Sequence, residues 1–272
     1  MSGTEGNDFD HVAIAVEQRA DAWPRFLDDL GGTWFSHGPG YGFAFCQLVY
    51  ANDMRVEILK PDGVENNDFL RRFLDRNGPG PHHLTFKVRD IESAIAAAEA
   101  AGYPPVSVNL SDPQWKEAFL HPKAALGVVI QLAQEADSPT GDWRTSPPEA
   151  LPGPSRPAAS LLHVGHAVAS LADGLHLFEQ LLGGVRTGEG SSRSARWVEL
   201  AWPGPGRVRV LEPATDTSPI AAWLDGQRGR VHHLAFSCPD PDSIEGAVPG
   251  TDGSFEVAPE RAQGTRLLLT PS

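Results

Sequence analysis

Four histidines, His11, His83, His163 and His233, each open a stretch of similar sequence. Alternating apolar residues follow each one, as in His-Val-Ala-Ile-Ala-Val at the first, and the histidines are 72, 80 and 70 residues apart. Imidazole is a common metal ligand, and it exchanges protons near neutral pH. A histidine that recurs at near-constant spacing therefore indicates a repeated unit with a chemically capable group at a fixed place in each copy.

Alternating apolar residues predict that each histidine opens a strand with one buried face. In the first copy we expect a helix from near Asp21 to Leu30, because Gly31 and Gly32 end it. Residues 43–49 and 54–59 then predict two strands around a turn, and residues 67–74 predict a short helix. The first copy is therefore a βαβββ-like unit, and its last helix leads into the next copy.

The second copy repeats this order from His83. Asp90 is the expected N-cap of a helix over residues 91–101, and Gly102 ends that helix. Strands are expected over residues 106–110, 115–120 and 128–132. The neighbouring His82 points to the opposite face of its strand from His83, so we interpret it as structural.

The second half of the chain repeats the first half. Residues 54–86 and 208–236 have similar sequences that both end in a His-His-Leu-X-Phe motif. Between the halves, residues 135–159 hold six prolines and little apolar periodicity, which favours an extended interdomain linker. We therefore predict a domain over residues 1–134, with modules at about 9–66 and 80–134, and a second domain over residues 160–272.

Composition limits the class of protein and its partners. The 272 residues suffice for two domains, and 40% hydrophobic with 21% charged residues is typical of a soluble globular protein. A net charge of −13 argues against nucleic acid or an anionic membrane as partner. Cys46 and Cys238 lie in different halves and imply no disulfide framework. Since we find neither a signal peptide nor a membrane span, we expect a cytoplasmic protein with a small-molecule substrate, as a monomer or a homodimer.

With this repeat in place, the chain resembles the vicinal oxygen chelate superfamily, which includes glyoxalase I, methylmalonyl-CoA epimerase, extradiol ring-cleaving dioxygenases and bleomycin resistance proteins. The resemblance covers nearly the whole chain outside the linker and is strongest over residues 9–134. Residues 56–61 (VEILKP) and 121–132 (HPKAALGVVIQL) are most similar to the epimerase branch. The resemblance implies an α+β fold of tandem domains, each with two βαβββ modules in a cupped mixed sheet with outer helices.

The resemblance also implies one divalent metal ion in the first domain. Its ligands would be His11 and Glu57 from the first module and His83 and Gln131 from the second. Two imidazoles, a carboxylate and an amide oxygen suit Fe, Co, Mn, Ni or Zn and leave positions open for substrate. The alternative is that these are separate polar strand residues, each satisfied by hydrogen bonds.

The corresponding positions of the second half do not form such a set. They are His163, Arg209, His233 and Leu268. A guanidinium stays protonated and a leucine has no donor atom, so we expect no metal there. We interpret the second domain as a degenerate copy that buttresses the first or closes over its pocket.

The implied function is that of a metal-dependent isomerase or lyase acting on a small carbonyl, carboxylate or acyl-CoA substrate. Such a site stabilises an enolate or oxyanion, and proton abstraction needs a base nearby. Epimerases of this family use two glutamates, and here Gln131 and Tyr41 stand at or near those positions. Our hypotheses are that Glu57 is the base and that His121 or Tyr41 carries protons.

Other residues are candidates for substrate binding. Lys123 could meet a carboxylate or a CoA phosphate, or be a solvated surface residue. Phe43, Phe45 and Trp115 could line a pocket, although strand aromatics more often belong to the core. Two other functions stay open: a non-haem Fe(II) dioxygenase of the extradiol type, ranked lower because the intact ligand set lies in the first half, and a binding protein that sequesters a drug or metabolite.

Overall fold

The structure, a computed structural model, describes residues 6–136, 144–147 and 151–272. The first half of the chain supplies eight strands: β1 Asp8–Ala15, β2 Thr33–Pro39, β3 Phe43–Val49, β4 Arg55–Pro61, β5 Gly80–Lys87, β6 Pro105–Asn109, β7 Trp115–Leu120 and β8 Val129–Glu135. They form one sheet in the order β2-β3-β4-β1-β5-β8-β7-β6. The pairs β1–β4 and β5–β8 are parallel and the hairpins are antiparallel, so the sheet is mixed.

The second half repeats this topology. Its strands are β9 Ser160–Val168, β10 Val185–Ser191, β11 Ala195–Ala201, β12 Arg207–Pro213, β13 Gly229–Cys238, β14 Ala247–Pro249, β15 Phe255–Val257 and β16 Leu267–Pro271. They form a sheet in the order β10-β11-β12-β9-β13-β16-β15-β14, which matches the first sheet strand for strand. The predicted α+β architecture of four βαβββ modules is therefore confirmed.

Helical segments connect the strands. The first half contains a 3-10 helix Arg19–Ala22, a π-helix Trp23–Asp29, α1 Phe69–Asn77 and α2 Ile91–Ala100. The second half contains α3 Leu171–Leu175, a π-helix His176–Leu181, α4 Pro219–Leu224 and 3-10 helices Pro241–Ser243 and Pro259–Arg261. In the last module three residues of 3-10 helix replace the module's longer helix, which accounts for its shorter sequence.

Local chemistry explains the helix ends, with one correction. The Asp90 side chain accepts a hydrogen bond from the Ser93 N–H at 2.6 Å, so the expected N-cap is present. The helix expected from near Asp21 to Leu30 forms, but it is not one regular helix. A 3-10 turn comes first, and the π-helix then brings the Leu30 N–H to the Arg25 carbonyl at 3.1 Å. A π-helix carries an extra residue per turn, which apolar spacing at 3.6 residues does not reveal.

Packing divides the chain into two compact units that do not coincide with its halves. The first unit contains Met1–Asp10, His83–Thr140 and His163–His232. The second contains His11–His82, Gly141–Leu162 and His233–Ser272. Each unit therefore joins one module from each half of the sequence. The predicted domains over residues 1–134 and 160–272 stay a prediction.

The predicted linker is only partly described, because residues 137–143 and 148–150 lie outside the described residues. Its first residue, Glu135, is the last residue of β8. Its last, Ala159, is buried and hydrogen-bonded through its backbone to Leu30 and Ala51 at 2.9 Å each. No helix in the described part of the chain has the length and apolar character needed to cross a membrane.

Arg25 joins the two modules of the second unit. Its buried guanidinium pairs with Asp29 one turn along and donates to the backbone carbonyls of Glu245, at 3.0 Å, and Arg261, at 3.3 Å. Burial makes each of these hydrogen bonds hard to replace with water. The guanidinium thereby ties the π-helix of the first module to the backbone of the last module at Glu245 and Arg261.

We expect Arg25→Met to lower the free energy of unfolding by about 3 kcal/mol, because it leaves Asp29 and two carbonyls without their donor. Arg72→Met is the matched control, since Arg72 pairs with Asp68 at the same i,i+4 spacing but is exposed. That control should change stability by less than about 0.5 kcal/mol. Urea unfolding of both variants measures the difference, and equal effects would contradict the role given to Arg25.

His166 is buried in the first unit. Its Nε2–H donates to the Leu126 carbonyl at 2.9 Å, and its ring meets Phe178 edge-on at 5.3 Å. Burial lowers the pKa of His166 to about 4. The imidazole is therefore neutral in the folded protein at neutral pH and holds the loop before β8.

The lowered pKa predicts acid sensitivity. The unfolded chain takes up a proton on His166 near pH 6.5 and the folded chain only near pH 4, so stability falls as the pH drops between these values. The loss from this histidine should reach about 3 kcal/mol. His166→Gln should remove that part of the pH dependence, whereas His176→Gln, at an exposed histidine, should leave it intact. Unfolding curves from pH 7 to 4 would show no difference if the assignment were wrong.

Candidate metal centre

His11 and Glu57 lie on the neighbouring parallel strands β1 and β4. In the register Ala13 pairs with Glu57 and His11 pairs with Arg55, so the two side chains project from the same face. The His11 Nε2 atom lies 3.6 Å from Glu57 Oε2, and both residues are buried. Strand pairing alone therefore brings an imidazole and a carboxylate together.

Glu57 has a second neighbour across the hairpin formed by β3 and β4. Gln47 pairs with Glu57 in the register, and its Nε2–H donates to Glu57 Oε1 at 3.3 Å. The Gln47 Oε1 atom accepts from the Ser36 hydroxyl and from Arg55 Nη1, both at 3.4 Å. Ser36 and Gln47 are themselves buried. These contacts hold the carboxylate of Glu57 in one orientation.

The second module places His83 on β5, beside β8. The pairs His83–Val129 and Thr85–Gln131 put His83, Thr85 and Gln131 on one face of these strands. The Thr85 hydroxyl donates to Gln131 Oε1 at 2.6 Å, and Gln131 Nε2 donates to Glu117 Oε2 at 2.7 Å. The amide of Gln131 therefore has a fixed direction.

The structure brings three of the four expected ligands together. The ligand atoms of His11, Glu57 and His83 all lie within 4.8 Å of one another, and all three residues are buried. β1 and β5 are neighbours at the centre of the sheet order. Two imidazoles and one carboxylate at these separations form a set that can hold a divalent cation. Gln131 already engages Thr85 and Glu117, and its place as fourth ligand stays a prediction.

The expected proton carriers lie at the surface. The Tyr41 side chain is 68% exposed on the loop between β2 and β3. His121 is also exposed, and its Nδ1 accepts from the Lys123 N–H at 3.0 Å within the turn that follows β7. Lys123 is exposed as well. The proton-transfer roles of Tyr41 and His121 stay predictions.

The aromatic candidates lie on the faces of their strands that also carry the polar side chains, since Phe43 and Phe45 alternate with Gln47 on β3, and Trp115 with Glu117 on β7. Phe43 and Phe45 pack against the cluster that α1 forms with β1 and β4, and the Phe43 ring meets Phe69 edge-on at 5.6 Å. These contacts are those expected if the two rings belong to the hydrophobic core rather than to a substrate pocket. Trp115 lies on the polar face of β7, where its indole Nε1–H donates to Glu117 Oε2 at 3.3 Å.

His82 lies apart from its neighbour His83, as expected for the opposite face of β5. It is buried, with its ring edge-on to Phe73 at 4.8 Å and 5.7 Å from Phe69. Burial lowers its pKa to about 4, so it is neutral at pH 7. These contacts fit the structural interpretation.

The second sheet holds a different cluster at the corresponding place. Arg209 donates from Nε and Nη2 to Glu199 Oε2, at 3.1 and 2.6 Å, and stacks 4.4 Å from the Trp197 ring centre. His163 Nδ1 lies 3.9 Å from the same carboxylate oxygen, and burial together with Arg209 lowers the pKa of His163 to about 3. The register pairs Arg209 with Gly165, which confirms that Arg209 stands where Glu57 stands in the first sheet.

The positions of the second sheet that correspond to His83 and Gln131 do not complete a ligand set either. Ala235 pairs with Leu268 as Thr85 pairs with Gln131, so Leu268 occupies the position of Gln131. His233 is buried at the position of His83. A leucine and a guanidinium thus replace the two oxygen ligands expected in the first sheet.

Sequence reasoning missed three residues that contact the expected ligands, namely Gln47, Thr85 and Glu117. Glu117 follows Trp115 by two residues on β7, so strand alternation alone puts both side chains on one face. Gln47 and Glu57 are equally distant from Asn52, the centre of the turn between β3 and β4. Counting outward from that turn would have paired them.

Comparison with known proteins bears on the fold and on the family of the first half of the chain. The model of the Glyoxalase/Bleomycin resistance protein/Dioxygenase superfamily matches residues 10–119. These residues therefore carry the sequence pattern of a domain of this superfamily. The matched segment spans β1 to most of β7 and includes His11, Glu57 and His83. No curated protein sequence matches the chain.

Solved structures extend the likeness to the second half. A mutant of 4-hydroxymandelate synthase from Streptomyces coelicolor is 15% identical and matches 97% of this chain and 92% of its own, with a TM-score of 0.67. Methylmalonyl-CoA epimerase from Mycobacterium tuberculosis is 26% identical and matches 50% of this chain and 91% of its own, with a TM-score of 0.44. The synthase match covers both sheets and shows the tandem fold alone.

Proposed function

We propose that the chain is a divalent-metal-dependent isomerase or lyase that acts on a small carbonyl, carboxylate or acyl-CoA substrate. The observation that carries the proposal is the gathering of His11, Glu57 and His83 within 4.8 Å. Their donor atoms fit Fe, Co, Mn, Ni or Zn, and three ligands leave positions open for substrate oxygens. The match of residues 10–119 to the superfamily is consistent with a metal-dependent enzyme.

Gln131 is kept in the proposal as the fourth ligand. A carbonyl oxygen has two lone pairs, and the Thr85 hydroxyl uses one lone pair of Gln131 Oε1. The other lone pair can serve a cation. The bond from Gln131 Nε2 to Glu117 keeps that oxygen from rotating away.

A bound metal ion supplies a Lewis acid that stabilises negative charge on a substrate oxygen. The chain must then supply a base for the adjacent carbon. We assign this role to Glu117, because its carboxylate lies on the polar face of β7 and accepts hydrogen bonds from Trp115 and Gln131. These two donors hold the carboxylate in place while it receives a proton. An amide such as Gln131 cannot act as a base, so the neighbouring Glu117 would provide the carboxylate that the position of Gln131 lacks.

A second function is favoured by the donor set itself. Two histidines and one carboxylate with open positions also form the facial triad of non-haem Fe(II) oxygenases. An extradiol-type dioxygenase is therefore the alternative. A third is a binding protein that sequesters a drug or metabolite, which would bind its ligand stoichiometrically without turnover.

The reaction class is tested with metal-loaded protein and a panel of acyl-CoA esters, 2-keto acids and catechols. The isomerase proposal predicts deuterium exchange from heavy water into the substrate carbon next to the carbonyl, measured by NMR, without oxygen consumption. In Glu117→Gln the exchange should fall at least about 100-fold while the metal is retained. Oxygen uptake with the iron-loaded protein would contradict it in favour of the dioxygenase.

A further inference from the structure

We infer that Gln47 is a positioning residue that fixes which oxygen of Glu57 is offered to the metal, an inference that rests on the proposed function. Gln47 is buried on β3 directly across from Glu57. Its Nε2–H reaches Glu57 Oε1 at 3.3 Å, while the other oxygen, Oε2, lies 3.6 Å from His11 Nε2. The two carboxylate oxygens therefore have different neighbours.

The direction of the Gln47 amide follows from its neighbours. A guanidinium has only donors, so the amide atom facing Arg55 Nη1 must be the carbonyl oxygen Oε1. The Ser36 hydroxyl donates to the same oxygen. The NH2 group must then face Glu57, whose Oε1 accepts the hydrogen bond. No rotated form of the amide satisfies Arg55 and Glu57 together.

This arrangement distinguishes the two carboxylate oxygens of Glu57. With Oε1 engaged by Gln47, the carboxylate presents Oε2 toward His11 and would offer that oxygen to a cation. A ligand carboxylate held by a hydrogen bond is oriented before the metal arrives, which raises affinity. This arrangement suits Glu57 to the role of ligand, and the hypothesis that Glu57 is the base stays a prediction.

In the second sheet the two corresponding residues also contact each other, but the carboxylate and its hydrogen-bond donor have exchanged strands. Glu199 and Arg209 pair across β11 and β12 as Gln47 and Glu57 pair across β3 and β4. There the carboxylate lies on the hairpin's first strand and is held by the guanidinium. In both sheets, therefore, the residue across the hairpin forms a hydrogen bond with the side chain at the position of Glu57.

The test is titration of the whole metal-free protein with Co²⁺, for wild type, Gln47→Leu and Ser36→Ala. The wild type should bind about one equivalent. Gln47→Leu should bind 10- to 100-fold more weakly, with a changed visible spectrum because Glu57 can then bind through both oxygens. Ser36→Ala keeps the amide but removes one bond that orients it, and should weaken binding about threefold. Gln180→Leu, at an exposed glutamine, is the control and should bind as wild type does.

Melting of each metal-free protein separates positioning from folding. If Gln47→Leu does not fold, Ser36→Ala decides, and unchanged affinity in that variant would overturn the role of Gln47. Affinity within twofold of wild type in a folded Gln47→Leu would overturn it as well, while leaving the metal centre intact. A wild type that binds no Co²⁺ would overturn both this inference and the proposed function.

Discussion

Glu57→Gln is expected to lower the affinity for a divalent metal ion at least about 100-fold, the largest effect on binding that we predict for a change of one functional group. Glu57 is the only anionic member of the gathered set, and an amide provides a neutral ligand of nearly the same shape. The lost attraction between the carboxylate and the cation should therefore dominate over any change in packing. Co²⁺ titration of the metal-free variant measures the loss.

The second sheet provides the matched control for this substitution. Glu199 is also a partly buried carboxylate near a histidine, but Arg209 neutralises it. Glu199→Gln should leave metal affinity at the wild-type value. Equal losses in both variants would show that the effect arises from general destabilisation. Unchanged binding in Glu57→Gln would remove Glu57 from the ligand set.

The largest expected effect on stability belongs to Gly127, in the turn before β8. Its backbone has a φ of +81°, and a Cβ atom there would lie 1.8 Å from the carbonyl oxygen of Gly229. The positive φ and the close contact both involve backbone atoms, so a side-chain movement cannot relieve them. Gly127→Ala should lower the free energy of unfolding by about 3 to 5 kcal/mol, from the strained φ and the displaced strand. Chemical denaturation measures this loss.

Two other glycines separate the contribution of the positive φ from that of the close contact with backbone. Gly226 has a φ of +74° with no atom within 4 Å of its would-be Cβ, so Gly226→Ala should show only the backbone strain, about 1 kcal/mol. Gly264 stands in the last module where Gly127 stands in the second, and its Cβ would lie 1.7 Å from the Pro79 carbonyl oxygen. Gly264→Ala should therefore be as damaging as Gly127→Ala. A similar loss in all three variants would show that close approach is unimportant.

Much of the fold could be predicted because the sequence repeats a strand that begins with histidine. The hairpin of β3 and β4 follows from two alternating stretches around a turn at Asn52, and the Asp90 cap follows from local chemistry. The π-helix at Trp23–Asp29 could not be predicted, since its extra residue per turn leaves no separate apolar period. The division into two compact units depends on packing between modules far apart in sequence, which no local pattern encodes.

The candidate site was predictable to a similar degree. His11, Glu57 and His83 were expected from a family resemblance, and the structure gathers them. The partners of Gln131 were not foreseen, because they depend on the register of β8 against both β5 and β7. That register sets Thr85 beside the amide and brings Glu117 within reach of it. Only the paired strands reveal that the amide has partners on both sides.

The most direct test of the metal centre is the metal content of protein purified without chelators, for wild type and His83→Ala. His83 comes from a different module than His11 and Glu57, so its loss tests whether the strands cooperate in one site. Mass spectrometry should find about one divalent metal ion per chain in the wild type and almost none in the variant. No metal in the wild type after reconstitution with iron, cobalt, manganese, nickel or zinc would contradict the account. Equal metal content in both proteins would contradict it too.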